Sequence, residues 1–166
     1  MKRAPTKEIP TELIKLLRYD PKTGELFWKV RRGPCVAGSL AGSVSKVGVR
    51  IKYRNSNYLA SRIIWTILHG SLSVDVEIDH RDLNNQNNRP NNLRLATRTQ
   101  NVVNRRGQKA AGNGLKGTYW NGNGWIALIT YCGERRYLGF YKTTEEAHAA
   151  YVRASSELHG EFARAA

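Results

Sequence analysis

The chain has 166 residues, which suits one ordinary domain or two to three small modules. Lys and Arg total 27 against 13 Asp and Glu, a formal charge of +14, and 40% of residues are apolar, so general disorder is excluded. No apolar run approaches the ~18 residues of a membrane span. The basic start, Met1 to Lys7, has no apolar stretch behind it to make a secretory signal, and Cys35 and Cys132 stand too far apart to form a ligand pair.

Thr11 is placed to cap a short helix carrying Leu13, Ile14, Leu16 and Leu17, ending near Asp20-Pro21. The run Asp20-Pro21-Lys22-Thr23-Gly24 reads as a turn into a strand over 25–31, where Leu26, Trp28 and Val30 alternate. Short strands are expected over 38–45 and 47–54, with Gly48 and Asn55-Ser56-Asn57 as punctuation. Residues 58–69 carry Leu59, Ile63, Ile64, Ile67 and Leu68 at helical spacing, stopped by Gly70. Residues 1–70 thus read as a small α+β scaffold, which buries little alone and is expected to pack on the residues after 70.

A strand is expected over 74–79, then an Asn-rich loop from Arg81 to Asn92, a second strand at Leu93-Arg94-Leu95, and a helix capped by Thr97 that runs to about Arg106. Residues 107–113 have the Gly and Ala content of a linker. Three further strands are expected over 115–120, 124–131 and 135–141, joined by the hairpin signals Asn121-Gly122-Asn123-Gly124 and Cys132-Gly133. Thr143-Thr144-Glu145-Glu146 then opens a helix through Leu158, with Ala147, Ala150, Tyr151, Ala154 and Leu158 on one face. The fold class read from this order is α+β.

The charge is uneven. Residues 1–112 hold 21 basic and 8 acidic side chains, whereas residues 113–166 hold 6 and 5. Cations spread over about 100 residues suit a long phosphate lattice better than one small anion, and no broad basic amphipathic helix points to a membrane surface.

Asp79-His80 ends the first central strand, Asn92 stands 12 residues after His80, and Asn101 lies 9 further on. A carboxylate and an amide oxygen are hard ligands, suited to Mg²⁺ and poor for zinc. An imidazole with an ordinary pKa of about 6.5 is a free base at neutral pH and can take a proton from water. A base, a cation and flanking positive charge are the parts of metal-assisted phosphodiester hydrolysis. Successive strand residues point to opposite faces, so Asp79 and His80 are expected to converge only at a frayed or kinked strand end. A calcium loop over 79–93 is excluded, since the required Gly and the closing Glu are missing. Arg98, Asn101 and Arg105 share a helix face, and residues 94–109 carry Arg94, Arg98, Arg105, Arg106 and Lys109 with no acid, a pattern suited to phosphate.

Glu77-Ile78-Asp79-His80, Asn91-Asn92-Leu93-Arg94-Leu95-Ala96-Thr97 and Gln100-Asn101-Val102-Val103-Asn104 together resemble the HNH endonuclease motif of the phage and intron homing type. The order Tyr58-Leu59-Ala60 to Arg62-Ile63-Ile64-Trp65 is also typical of that family. The resemblance implies a ββα-metal nuclease motif over 71–106, with His80 as general base, Asp79 and Asn101 holding one divalent ion (Mg²⁺ or Mn²⁺), and Asn92 bracing the loop and orienting the histidine. It further implies cleavage of DNA to 5′-phosphate and 3′-hydroxyl ends.

Lys116-Gly117-Thr118-Tyr119, Trp125-Ile126-Ala127, Tyr137-Leu138-Gly139-Phe140-Tyr141 and Thr144 to Tyr151 resemble the AP2 DNA-binding domain over nearly all of 114–163, which implies such a domain at 114–166. That family lays a three-stranded sheet in the major groove, which implies Lys116, Tyr119, Trp120, Arg135, Arg136 and Tyr137 as contacts. The chain departs from the family at Leu128 and Thr130, where Glu and Arg are usual. Taken together, the resemblances imply a site-selective nickase on double-stranded DNA in the cytoplasm of a bacterial or phage-infected cell. It would act as a monomer or a dimer, with no membrane and no small-molecule cofactor. A DNA-binding regulator with a silent HNH motif stays open at this level, because it accounts for the charge and the C-terminal module without chemistry.

Overall fold

The computed structural model describes residues 7–98, 100–101 and 115–163. The chain divides into two compact units, Met1–Thr97 and Arg98–Ala166. The expected linker at 107–113, and the expected helix beyond residue 101, lie outside the described residues. Both units mix helices with small antiparallel sheets, an α+β arrangement. Among the described residues, no helix is long and apolar enough to cross a membrane.

In the first unit, α1 spans Thr11–Lys15 and its N-cap is Pro10, not the expected Thr11, with no side-chain cap bond. The helix is shorter than its apolar spacing suggests because Leu17 already pairs with Trp28. Strands β1 (Leu17–Asp20) and β2 (Glu25–Trp28) form an antiparallel hairpin across the Asp20–Gly24 turn. The pairing ladder wins over the 3.6-residue period, since Leu17, Leu26 and Trp28 are all buried by it.

A three-stranded antiparallel sheet comes next, in the order β3 (Ser43–Ser45), β4 (Gly48–Tyr53) and β5 (Ser56–Leu59). Strand β5 falls where a turn and a helix start are expected. The turn is only Arg54-Asn55, with Arg54 at φ 50°, and Tyr53 pairs directly with Ser56. Helix α2 (Ala60–His69) therefore begins two residues late and ends at Gly70. Its Ile63 and Ile64 are fully buried beside Leu13, Ile51 and Tyr58, each such aliphatic side chain contributing about 1.5–3 kcal/mol.

Strands β6 (Glu77–His80) and β7 (Leu93–Ala96) pair antiparallel, His80 opposite Leu93 and Asp79 opposite Arg94. Leu93 belongs to the same core as α2 and β4, and Ile78 packs against it. Arg62 of α2, almost fully buried, reaches the carbonyls of Ser73 (3.0 Å) and Val76, so the segment leading into β6 is tied to the helix. Burial lowers the Arg62 pKa, and nearby Glu77 opposes that shift.

In the second unit, β8 (Thr118–Trp120), β9 (Trp125–Tyr131) and β10 (Glu134–Tyr141) form an antiparallel sheet with β9 in the middle. Helix α3 (Thr144–His159) packs Ala147 and Ala150 on Ala127. Its buried line is Ala147, Ala150, Tyr151 and Ser155, so Ser155 takes the central place expected for Ala154 and Leu158, which are half-buried. The Tyr151 ring lies over Gly117, where any Cβ would collide with it.

Helix α3 starts in a reciprocal cap. Thr143 Oγ1 accepts from Glu146 N at 3.2 Å, and the Glu146 carboxylate accepts from Thr143 N at 3.3 Å. Thr143→Ala is expected to lower the stability of this unit by about 1 kcal/mol, read as a shifted urea midpoint of the far-ultraviolet circular dichroism.

Candidate functional site

The β6–β7 hairpin carries the first two residues singled out by the sequence. Asp79 is 3% exposed, and Arg94 Nε donates to its Oδ2 at 2.8 Å. Arg94 is itself 6% exposed. Its place in a basic segment suggests a phosphate contact, but the cross-strand register turns it inward onto Asp79. The pairing stays regular through His80, so Asp79 and His80 leave the hairpin on opposite faces.

His80 meets a residue that the motif spacing does not pick out. Its Nε2 lies 3.0 Å from Oδ1 of Asn88, which is 2% exposed. Asn92, expected to brace the loop and to orient the histidine, does the first, while Asn88 meets the histidine ring. Asn92 Nδ2 donates to Asp82 Oδ1 (2.9 Å) and to the Asn87 carbonyl (2.7 Å), while its Oδ1 accepts from Asp82 N (3.0 Å). Both amide protons of Asn92 are thereby committed within the loop. Asn87 Nδ2 and Asn84 N also donate to the Asp82 carboxylate, at 2.7 and 2.8 Å.

These bonds explain the acidity of Asp82. Burial alone would raise its pKa, but the donors from Asn87, Asn84 and Asn92 hold it below the usual carboxylate range, with His80 adding in the same direction. The loop is also fastened to both N-terminal hairpins. Arg89 Nε donates to the Lys22 carbonyl at 2.8 Å, Tyr19 Oη to the Asn88 carbonyl at 2.9 Å, and Asn85 Nδ2 to the Lys46 carbonyl at 3.1 Å. Asn88 and Asp82 were hidden in the sequence by the run of six Asn between 84 and 92. The one available signal was the position of Asn88 eight residues after the histidine.

In the second unit, Arg98 and Asn101 have helical backbone, Arg98 exposed and Asn101 half-buried, whereas Arg105 and Arg106 lie outside the described residues. The sheet divides the six expected DNA contacts. Tyr119 pairs with Ile126, Tyr137 with Leu128 and Arg135 with Thr130, so Tyr119, Tyr137 and Arg135 share one face. Trp120 and Arg136 belong to the face that carries α3. Trp120 sits edge-on to Trp125 at 5.3 Å, and the Arg136 guanidinium lies 5.1 Å from the Tyr131 ring. Lys116 precedes β8, and its carbonyl meets His148 Nδ1 at 2.9 Å. Burial lowers the His159 pKa, with Lys116 acting the same way, and its ring lies against Tyr131. Among the described residues, no group of three or more His, Cys, Asp or Glu is placed to hold a metal ion. The donors that the motif offers, one carboxylate and amide oxygens, still have the hardness that Mg²⁺ or Mn²⁺ requires.

This geometry makes two outcomes measurable. Arg94→Leu leaves the Asp79 carboxylate buried without its guanidinium and is expected to lower stability by about 3 kcal/mol in urea denaturation, with Asp79→Leu in the same chain recovering most of the loss. For Asp82, the folded pKa lies below the unfolded value of 3.8, so its stabilisation is complete above that value and fades as pH falls through the folded pKa. Asp82→Asn should therefore destabilise the wild-type fold at neutral pH and flatten the acid limb of a plot of Tm against pH.

Comparison with known proteins adds the family. The model of the HNH endonuclease family matches residues 58–103, a span running from β5 through α2 and the β6–β7 hairpin to the helical residues after Thr97. The chain is 33% identical over 122 residues to an uncharacterised HNH endonuclease of Acanthamoeba polyphaga mimivirus, covering 72% of this chain and 63% of that relative. It is also 33% identical over 103 residues to protein 3.8 of Escherichia phage T7, covering 61% of this chain and 84% of that protein. The chain thus spans less than two thirds of the mimivirus relative and most of the phage one. No solved structure matches it. The chain therefore carries an HNH endonuclease domain over residues 58–103 and has a viral relative named for the same activity.

Proposed function

We propose that this protein is a metal-dependent DNA endonuclease of the HNH homing type. In this reading it nicks double-stranded DNA at selected sites and leaves 5′-phosphate and 3′-hydroxyl ends. The observation that carries the proposal is the placement of His80. It stands at the end of β6 inside the matched span, its Nε2 held by the buried Asn88 amide.

In the proposed reaction, His80 removes a proton from water as the water oxygen bonds to phosphorus. The bond to the 3′ oxygen breaks, and solvent supplies the proton that this oxygen takes up. Asp79, with Asn101 assigned by its spacing in the sequence, would hold one Mg²⁺ or Mn²⁺, which supplies positive charge to the phosphate and the leaving oxygen. Arg94 fixes the Asp79 carboxylate from within. Arg98, Arg105 and Arg106 belong to the acid-free segment and serve the DNA backbone. The C-terminal unit is assigned to the AP2-like DNA-binding class on its three strands and one helix. Tyr119, Tyr137 and Arg135 meet DNA from the face opposite α3, and Lys116, Trp120 and Arg136 contribute from its margins. The phage relative agrees with action in the cytoplasm of a bacterial or infected cell.

The test is cleavage of supercoiled plasmid carrying a library of candidate sites, in Mg²⁺ or Mn²⁺. Open-circular product is expected, with ends that ligase reseals without kinase treatment. EDTA should abolish it, and His80→Ala should slow it by about 10²–10⁴. Tight, site-selective binding with no cleavage in either metal would instead identify a DNA-binding regulator.

A further inference from the structure

The amide of Asn88 can be oriented from its other end. Its Nδ2 donates to the Gln86 carbonyl at 3.2 Å, and a carbonyl only accepts. The oxygen is therefore the end turned toward His80, 3.0 Å from Nε2. An amide oxygen accepts a hydrogen and offers none, so the neutral imidazole carries its proton on Nε2. The basic lone pair is then on Nδ1.

Asn88 is in turn held from the N-terminal hairpin. Tyr19 Oη donates to its carbonyl at 2.9 Å, and burial raises the Tyr19 pKa, which keeps the phenol a donor. Arg89 Nε reaches the Lys22 carbonyl at 2.8 Å. Gly24, at φ +81°, lets the turn lie flush against this backbone. A Cβ there would come within 2.8 Å of Arg89 N and 2.9 Å of the Asn88 carbonyl carbon.

We propose that Asn88 is the positioning residue that sets the His80 tautomer, and that the β1–β2 turn holds Asn88 in place through Tyr19 and Gly24. The N-terminal segment then acts on the chemistry through an amide, in addition to any contact it makes with DNA. The inference deepens the nuclease reading and shares its cleavage assay, but its spectroscopic readout stands apart from activity.

The experiment labels the histidines of the full chain with ¹⁵N and records long-range ¹H–¹⁵N correlations at about pH 8, where an ordinary imidazole is neutral. The chain has four His, and His80→Ala assigns the signal. Wild type and Asn88→Asp, whose carboxylate accepts the same bond, are expected to show one Nε2-protonated ring. Asn88→Ala should show a tautomer mixture. In the plasmid assay, kcat should fall about tenfold for Asn88→Ala and about threefold for Tyr19→Phe, with KM within about twofold of wild type. An Nδ1-protonated ring in wild type, or an unmixed Nε2 tautomer in Asn88→Ala, overturns the proposal. If Asn88→Ala does not fold, Tyr19→Phe decides, because it keeps its ring in place and loses only the hydroxyl. An unchanged tautomer and unchanged kcat in that variant overturn the role of the hairpin. A wild type that cuts nothing, yet shows the Nε2 tautomer and loses it in Asn88→Ala, removes the nuclease reading and supports this one.

Discussion

Between β6 and β7 the chain is shaped by side-chain amides that satisfy one another and the backbone, with very little apolar packing of its own. Asn88 is 2% exposed and Asn92 7% exposed, and each directs its polar atoms onto named partners. An amide buried without partners is destabilising by about 1–3 kcal/mol, so this loop holds its shape only while the whole set is intact. The histidine that carries the proposed chemistry takes its orientation from one member of that set.

That dependence gives the N-terminal segment a mechanical role. Tyr19, Lys22 and Lys46 meet the loop from two separate hairpins, and Leu93 of β7 lies in the core built by α2 and the β3–β5 sheet. A two-stranded hairpin is marginal alone in water. Here it is kept by a shared core on one side and hydrogen-bonded turns on the other, so the β6–β7 hairpin and the residues before it belong to one compact unit.

Charge is handled differently at different places. Arg94 and Asp79 pair in the interior, where the pair fixes the carboxylate without contributing to the outer field. In the second unit, the sheet face opposite α3 is aromatic, with Tyr119 and Tyr137 prominent and Arg135 to one side. A surface of this kind offers contact area and ring faces more than charge density. The excess positive charge lies in the first two thirds of the chain.

The sequence alone determined the order of strands β6 to β10, the start of α3 after Thr143, the positive net charge and the residue types of an HNH motif. These are local properties, written in apolar period, turn residues and spacing within about twenty positions. It misled at Leu17, where the pairing of β1 with β2 overrode a helical pattern, and at Ser56–Leu59, where a two-residue turn made room for a strand. Among the Asn residues of 84–92 it singled out Asn92 and passed over Asn88. Arg94 read as a phosphate contact until the strand register placed it opposite Asp79. Asn88, the partner of His80, has its backbone held by Tyr19 and lying against Gly24, both more than sixty residues earlier. Which polar group is buried, and against whom, depends on residues distant in the chain, and such partners leave no periodic trace for a linear reading to find.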